Sequence, residues 1–198
     1  PTLRPDLPEL LAYAQSRGLV TGLLSDGLRL ADPNYFNRLL ETGLDHLMVV
    51  VQPDLEASWK AVAAATPADL YTTVHLTLTP ANAAQAGALI NRLAMLKPNA
   101  VSLSAQDLAL AGELKAARQL VADLGLDLVW DLPVPYSAFN PVALEVQGQA
   151  AAPGAGRAWM YVEPDGDVLP GQGLPGVLGN LAEQEWSAIW QSSLLANP

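Results

Sequence analysis

Five times between residues 6 and 132 an amphipathic run is followed by a short, continuously apolar one, and no other feature of the chain limits its fold as much. Asp6 stands as a cap before a first helix with Pro8 and Glu9 in its opening turn, and Leu10, Leu11, Tyr13 and Ala14 carry it to a stop at Gly18. Residues 19–24 then read as a short buried strand, ended by the turn residues Ser25, Asp26 and Gly27. Asp32 and Pro33 start a second helix that turns Tyr35, Phe36, Leu39 and Leu40 inward and closes at Gly43. Residues 47–51 are apolar throughout, the pattern of a strand covered on both faces. Three further pairs repeat the scheme: helix 55–65 with strand 70–78, helix 83–96 with strand 100–103, and helix 108–124 with strand 126–132.

Units recurring every roughly 25 residues, with strands this apolar, imply a parallel sheet carrying helices on at least one face. Such a sheet is either open and doubly wound or an arc of an α/β barrel. Polar residues favour the arc, because they gather where the strands end: Ser25 and Asp26, Gln52, Thr77 and Thr79, Ser102 and Ser104, and Asp131. In a barrel those C-terminal ends form one mouth, where ligands sit. An open sheet also places its site beyond strand C-termini, at a switch point, so the mouth is the expected site either way. The expected class is α/β, a partial (βα) TIM-like barrel arc over residues 1–140, followed by a small β-hairpin and helix extension over 141–198.

Composition narrows the function. A hydrophobic content of 51% is ample for a buried core, yet charged residues or prolines interrupt every apolar run before the roughly 20 residues a spanning helix needs. No membrane partner is expected. A net charge of −10 argues against a phosphate-neutralising surface, and hence against nucleic acid. With no cysteine, the chain can form no disulfide and offers no thiolate to zinc or an iron–sulfur cluster. It opens at Pro1 without a methionine and without a secretory or transit signal, which leaves room for an upstream segment and makes cytoplasm the expected compartment.

Few residues announce chemistry by themselves. His75 alternates with Thr77 and Thr79 along one strand, so the three share a face, although a lone strand histidine is more often structural than catalytic. His46, opening a strand after Asp45, reads more strongly still as structural. No serine–histidine–acid order, phosphate loop or histidine–carboxylate metal spacing is present. Pro133, Pro135 and Tyr136 form a rigid exit from the last strand, and residues 141–156 read as a linker.

The most distinctive stretch is 157–191. Residues 158–162 and 168–170 flank Glu163-Pro164-Asp165-Gly166-Asp167, where the proline presets φ and the glycine tolerates positive φ, as a tight hairpin turn requires. Asp165 and Asp167 lack the ligand ladder of a calcium loop, and turn formation accounts for both, so no metal is expected. A glycine-punctuated loop over 171–179 leads to Asn180 and an amphipathic run in which Trp186, Ile189 and Trp190 share a face. Trp159, Tyr161 and these tryptophans read as core.

These pieces together resemble the radical S-adenosylmethionine (radical SAM) superfamily, in particular members with a C-terminal SPASM or twitch extension. Pro1-Thr2-Leu3-Arg4-Pro5-Asp6-Leu7 is similar to the segment just after the family's Gly-Glu motif, and Leu24-Ser25-Asp26-Gly27-Leu28 to its third-strand Thr-Asn-Gly turn, changed at two positions. Residues 162–170 with Leu178-Gly179-Asn180-Leu181 and Ile189-Trp190 resemble the twitch hairpin and its closing helix. The resemblance implies S-adenosylmethionine and a four-iron four-sulfur cluster as cofactors, the cluster not ligated by this chain. It also implies cofactor contacts at Ser25, Gln52, Thr77, Ser102 and Ser104, and a substrate side at His75, Thr79 and Asp131. The family's three-cysteine loop would lie upstream of Pro1, and Gly171 stands where an auxiliary-cluster cysteine commonly succeeds the hairpin proline.

Two functions are expected as alternatives. One is the C-terminal portion of a radical SAM protein, forming the barrel mouth and substrate-side cover, inactive without the upstream cluster-binding segment. The other is a non-catalytic binding or assembly module derived from that fold. In either case the first strand is an edge of unpaired backbone groups, to be covered by the missing N-terminal segment, another subunit or a self-dimer.

Overall fold

Each apolar run of the first 129 residues enters one sheet, and each amphipathic run becomes a helix beside it. The computed structural model describes residues 1–129, 155–158, 160–163, 165–171, 174 and 176–196, and the chain divides into two compact units, Pro1–Leu144 and Glu145–Pro198. The first unit runs α1 (Leu7–Ser16), β1 (Gly22–Ser25), α2 (Pro33–Leu40), β2 (His46–Val50), α3 (Glu56–Ala65), β3 (Tyr71–Leu78), α4 (Ala86–Leu96), β4 (Ala100–Ala105) and α5 (Ala111–Asp123). Its strands are all parallel, in the order β1-β2-β3-β4. Leu128 adds a parallel bridge to Val101, with Val101 N donating to Asp127 O at 2.7 Å and Val129 N to Val101 O at 2.9 Å, so the fifth apolar run continues the same sheet. Spatial order follows chain order without reversal, which is the arrangement of a barrel arc and not of a doubly wound sheet with a switch point.

Side-chain alternation gives this sheet two unlike faces. Leu47, Val49, Val74, Leu76, Val101 and Leu103 form one core with Trp59, Val62, Ile90, Leu93 and Val121 of the helices. The residues between them, Met48, Val50, Thr73, His75, Ser102 and Ser104, lie on the opposite, inner face.

Several element boundaries differ from the sequence expectation, for identifiable reasons. The first strand begins at Gly22, not at residue 19, because Asp45 Oδ2 accepts from Thr21 N at 2.8 Å and brings the chain to the sheet only there. Leu19 and Val20 stay exposed. Asp6 does not cap α1 with its side chain; Arg4 holds its carboxylate through two bonds, of 2.8 and 2.7 Å. Asp32 does cap α2, accepting from Asn34 N at 3.0 Å. The helices expected over 83–96 and 108–124 each open with a 3₁₀ turn, Ala83–Gln85 and Leu108–Leu110.

In the second unit β5 (Tyr161–Val162), β6 (Asp167–Leu169) and β7 (Gly179–Asn180) form an antiparallel sheet in that order, followed by α6 (Trp186–Ala196). Gly166 N donates to Glu163 O at 2.9 Å, closing the expected hairpin turn. The third strand was not legible, since Gly179 and Asn180 read as the approach to a helix. Gly179 is required by close approach: a Cβ there would come within 2.7 Å of Ile189 Cγ1. Val168, Leu169 and Ile189 are the buried apolar residues described in this unit, whereas Trp186 is 45% exposed, so aliphatic side chains and not the tryptophans form the part of its core that is described. The strand end beyond 129, Asp131, the exit at Pro133, Pro135 and Tyr136, the linker over 141–154, Trp159, Pro164 and loop positions 172, 173 and 175 lie outside the described residues.

Candidate functional site

Along β3, Thr73, His75 and Thr77 alternate with Val74, Leu76 and Leu78; along β4, Ser102 and Ser104 alternate with Val101, Leu103 and Ala105. The parallel register pairs His75 with Ser102 and Thr77 with Ser104, which sets one imidazole among three hydroxyls on the inner face. His75 Nδ1 lies 2.9 Å from Ser102 Oγ, and Nε2 lies 2.9 Å from Ser104 Oγ and 3.1 Å from Thr77 Oγ1. Ser104 Oγ donates to Thr77 Oγ1 at 3.0 Å. His75 and Ser104 are fully buried, Ser102 nearly so, and Thr77 half-buried. Burial pushes the His75 pKa down from 6.5 to about 4, so the ring is neutral at physiological pH. A neutral ring flanked by hydroxyls binds and orients polar groups and carries no charge to a ligand.

Thr79, next on the same face, is half-buried, and its backbone N–H donates to Asn82 Oδ1 at 2.8 Å. Asn82 Nδ2 donates to Thr77 O at 3.0 Å, so Asn82 pins the loop leaving β3. At the neighbouring strand ends, Ser58 Oγ donates to Asp26 O at 2.8 Å and accepts from Gln52 N at 3.1 Å, joining the loops after β1 and β2. Trp59 Nε1 donates to Pro53 O at 3.0 Å and anchors the second of these loops. Gln52 is exposed.

The structure therefore brings together His75, Thr77, Ser102 and Ser104, with Thr79 beside them. Ser25 ends β1 as expected but shares the helix-side face with Leu23, paired with Val49, and its hydroxyl accepts from Gly27 N at 3.1 Å. Ser58 and Asn82 escaped sequence reading. The available signal for Ser58 was a serine on the apolar stripe of Trp59, Val62 and Ala65; for Asn82 it was an asparagine just past a strand-ending Thr-Pro.

Two other places hold polar groups. A concavity of about 570 Å³, lined in part by Asp45, His46, Asp69 and Tyr71, lies at the N-terminal ends of β2 and β3, away from the C-terminal strand ends. His46 is exposed there, with its ring 5.4 Å from that of Tyr71. In the hairpin, carboxylate oxygens of Glu163, Asp165 and Asp167 lie within 4.8 Å of one another. Two of the three are engaged: Asp165 Oδ1 accepts from Asp167 N at 3.3 Å, and Asp167 Oδ1 from Asn180 Nδ2 at 2.9 Å.

Comparison with known proteins agrees with the motifs. Residues 154–197 match the SPASM family, described as an iron–sulfur cluster-binding domain. The chain is 27% identical, over 98% of its length, to a PqqA peptide cyclase of Methylocella silvestris, of which it covers 59%. It is 24% identical, again over 98% of its length, to a PqqA peptide cyclase of Streptomyces rochei, of which it covers 60%. The chain thus spans about three fifths of the length of the curated relatives it matches. These matches bear out the resemblance to radical SAM proteins with a SPASM extension. The residues present do not fit an iron–sulfur cluster, however. The chain has no cysteine, and the position after Pro170 is a buried glycine, Gly171.

Proposed function

We propose that this chain, a relative of radical SAM proteins that carry a SPASM extension, forms the barrel mouth and substrate-side cover of such a protein acting on a peptide. The observation that carries this reading is the hydroxyl cluster around His75, at the C-terminal half of adjacent parallel strands, in a chain similar to PqqA peptide cyclases. Thr77, Ser102, Ser104 and Gln52 hold polar groups of S-adenosylmethionine, which supplies the radical chemistry when bound. His75 and Thr79 belong to the substrate side, and the turn at Ser25 shapes the rim. Because no cysteine is available, the isolated chain holds no cluster of its own and is inactive alone. Residues 1–140 make the arc in this reading and 141–198 the cover.

Isothermal titration of the chain with S-adenosylmethionine tests the mouth assignment; binding that weakens in Ser104→Ala is expected, and an absence of binding at millimolar cofactor overturns it. Anaerobic incubation with iron and sulfide tests the second claim, which stoichiometric four-iron uptake with turnover would refute. The lack of cysteine also supports a second reading, a binding or assembly module built on the same arc. That module recognises a partner protein without binding the cofactor, so the titration separates the two. Under both readings β1 is covered by an upstream segment, another subunit or a second copy.

A further inference from the structure

When the ring is neutral, the His75 imidazole and the hydroxyls of Thr77, Ser102 and Ser104 each have one proton to donate. Nδ1 meets only Ser102 Oγ among them, at 2.9 Å, whereas Nε2, Ser104 Oγ and Thr77 Oγ1 form a triangle with sides of 2.9, 3.0 and 3.1 Å. A neutral imidazole has one donor and one acceptor nitrogen, so with Ser104 donating to Thr77 two orders of donation satisfy these contacts, and each leaves a different hydroxyl over. With the proton on Nδ1, the ring donates to Ser102 while Ser104 and Thr77 both donate inside the triangle. The Ser102 proton then has no acceptor in the network. With the proton on Nε2, Ser102 donates to Nδ1, the ring donates to Ser104, and Ser104 donates to Thr77. The Thr77 proton is then left to donate outside the network.

Burial decides between the two. Ser102 is 5% exposed, where a hydroxyl proton without an acceptor is disfavoured, but Thr77 is half-buried, where it can reach water or a ligand. We propose that His75 is held as its Nε2–H tautomer and that donation runs one way, from Ser102 through the ring and Ser104 to Thr77, which presents its hydroxyl proton outward. Nε2–H, directed at Ser104 Oγ at 2.9 Å, is shared with Thr77 Oγ1 at 3.1 Å, so Thr77 Oγ1 already accepts from that N–H and from the Ser104 hydroxyl. This point of the inner face therefore selects a hydrogen-bond acceptor, a carbonyl or carboxylate oxygen, over an amine. The tautomer stands on the geometry alone; the selection rests on the reading of the inner face as the binding face.

Nitrogen NMR of the chain with labelled histidine rings, at neutral pH and without ligand, decides the tautomer. Protonated Nε2 with unprotonated Nδ1 is expected at His75, and a protonated Nδ1 overturns the proposal. Separate titrations with S-adenosylmethionine alone and with PqqA peptide alone then compare the wild type with Thr77→Val and Thr77→Ser. Loss of about tenfold in affinity in the valine variant, restored by serine, is expected for the probe whose oxygen sits at Thr77, and identifies cofactor or peptide as its source. Unchanged affinity of both probes in Thr77→Val overturns the selection. Should the wild type bind neither probe, the binding-face reading fails with the selection drawn from it, and the ring NMR still decides the tautomer.

Discussion

A buried neutral histidine makes stability depend on pH in a direction fixed by its folded pKa. For His75 that pKa is about 4, against 6.5 for an unperturbed ring, because burial disfavours the charged form. Between those values the unfolded chain takes up a proton that the native chain does not. The contribution is therefore complete above pH 6.5 and is lost as the pH falls toward 4, in all by about 3 kcal/mol at roughly 1.4 kcal/mol per pKa unit. Urea unfolding of the first unit between pH 8 and 4 checks this, with His75→Gln as reference: the variant should lack that part of the acid-side loss, and equal slopes for both chains would contradict it. Strand alternation made it legible that His75, Thr77 and Thr79 share a face. That Ser102 and Ser104 would close on the same ring was not legible, because alternation fixes the face of each strand but leaves shifts of two residues between parallel strands open. Ser25 shows the converse: its place at a strand end was readable, but its face follows from its pairing with Val49 on the neighbouring strand.

Helices and strands fix the loops at the C-terminal strand ends through residues outside those loops. The Ser58 hydroxyl, on α3, accepts from Gln52 N and donates to Asp26 O, so Ser58→Ala leaves a donor and an acceptor unmatched in two loops at once. The expected loss is about 1–3 kcal/mol of stability in the first unit, together with faster hydrogen exchange at Gln52. Unchanged exchange there would show that the two loops hold their shape without it. In the extension the corresponding element is β7. Gly179 lets Ile189 approach the strand, and Asn180 ties the hairpin turn to the residues before α6, donating to Asp167 Oδ1 at 2.9 Å and accepting from Ala182 N at 2.7 Å. Gly179→Ala should cost about 1–3 kcal/mol by overpacking. Its signature is faster exchange at Leu178 and Leu181, whose amides donate to Val168 O and Gly166 O, with no change at β3 and β4. These two-residue pairings carry no periodic pattern, which is why hairpin and helix were legible and the strand between them was not.

At the scale of the molecule, a parallel sheet that follows chain order has one strand at the start of its sequence with a neighbour on one side only. Among the described residues that strand is β1, paired with β2 alone. Thr21 O accepts from His46 N at 3.0 Å, so by alternation the N–H and C=O groups of Gly22 and Leu24 point away from β2. Leu19 and Val20, 58% and 75% exposed, lead into this edge. An apolar edge of unpaired backbone groups is a template for another strand, and the net charge of −10 opposes only long-range approach, which salt screens. The chain by itself is therefore expected to associate through β1 as its concentration rises, at physiological salt and more readily than at low salt. Sedimentation velocity should show the increase in mass, and the Leu24 amide should gain protection from exchange over the same concentration range, while β3 amides stay constant. A monomer at every concentration, with Leu24 exchanging at the rate of an open loop, would mean that this edge needs no partner and that neither an upstream segment nor a second subunit is required to complete the arc.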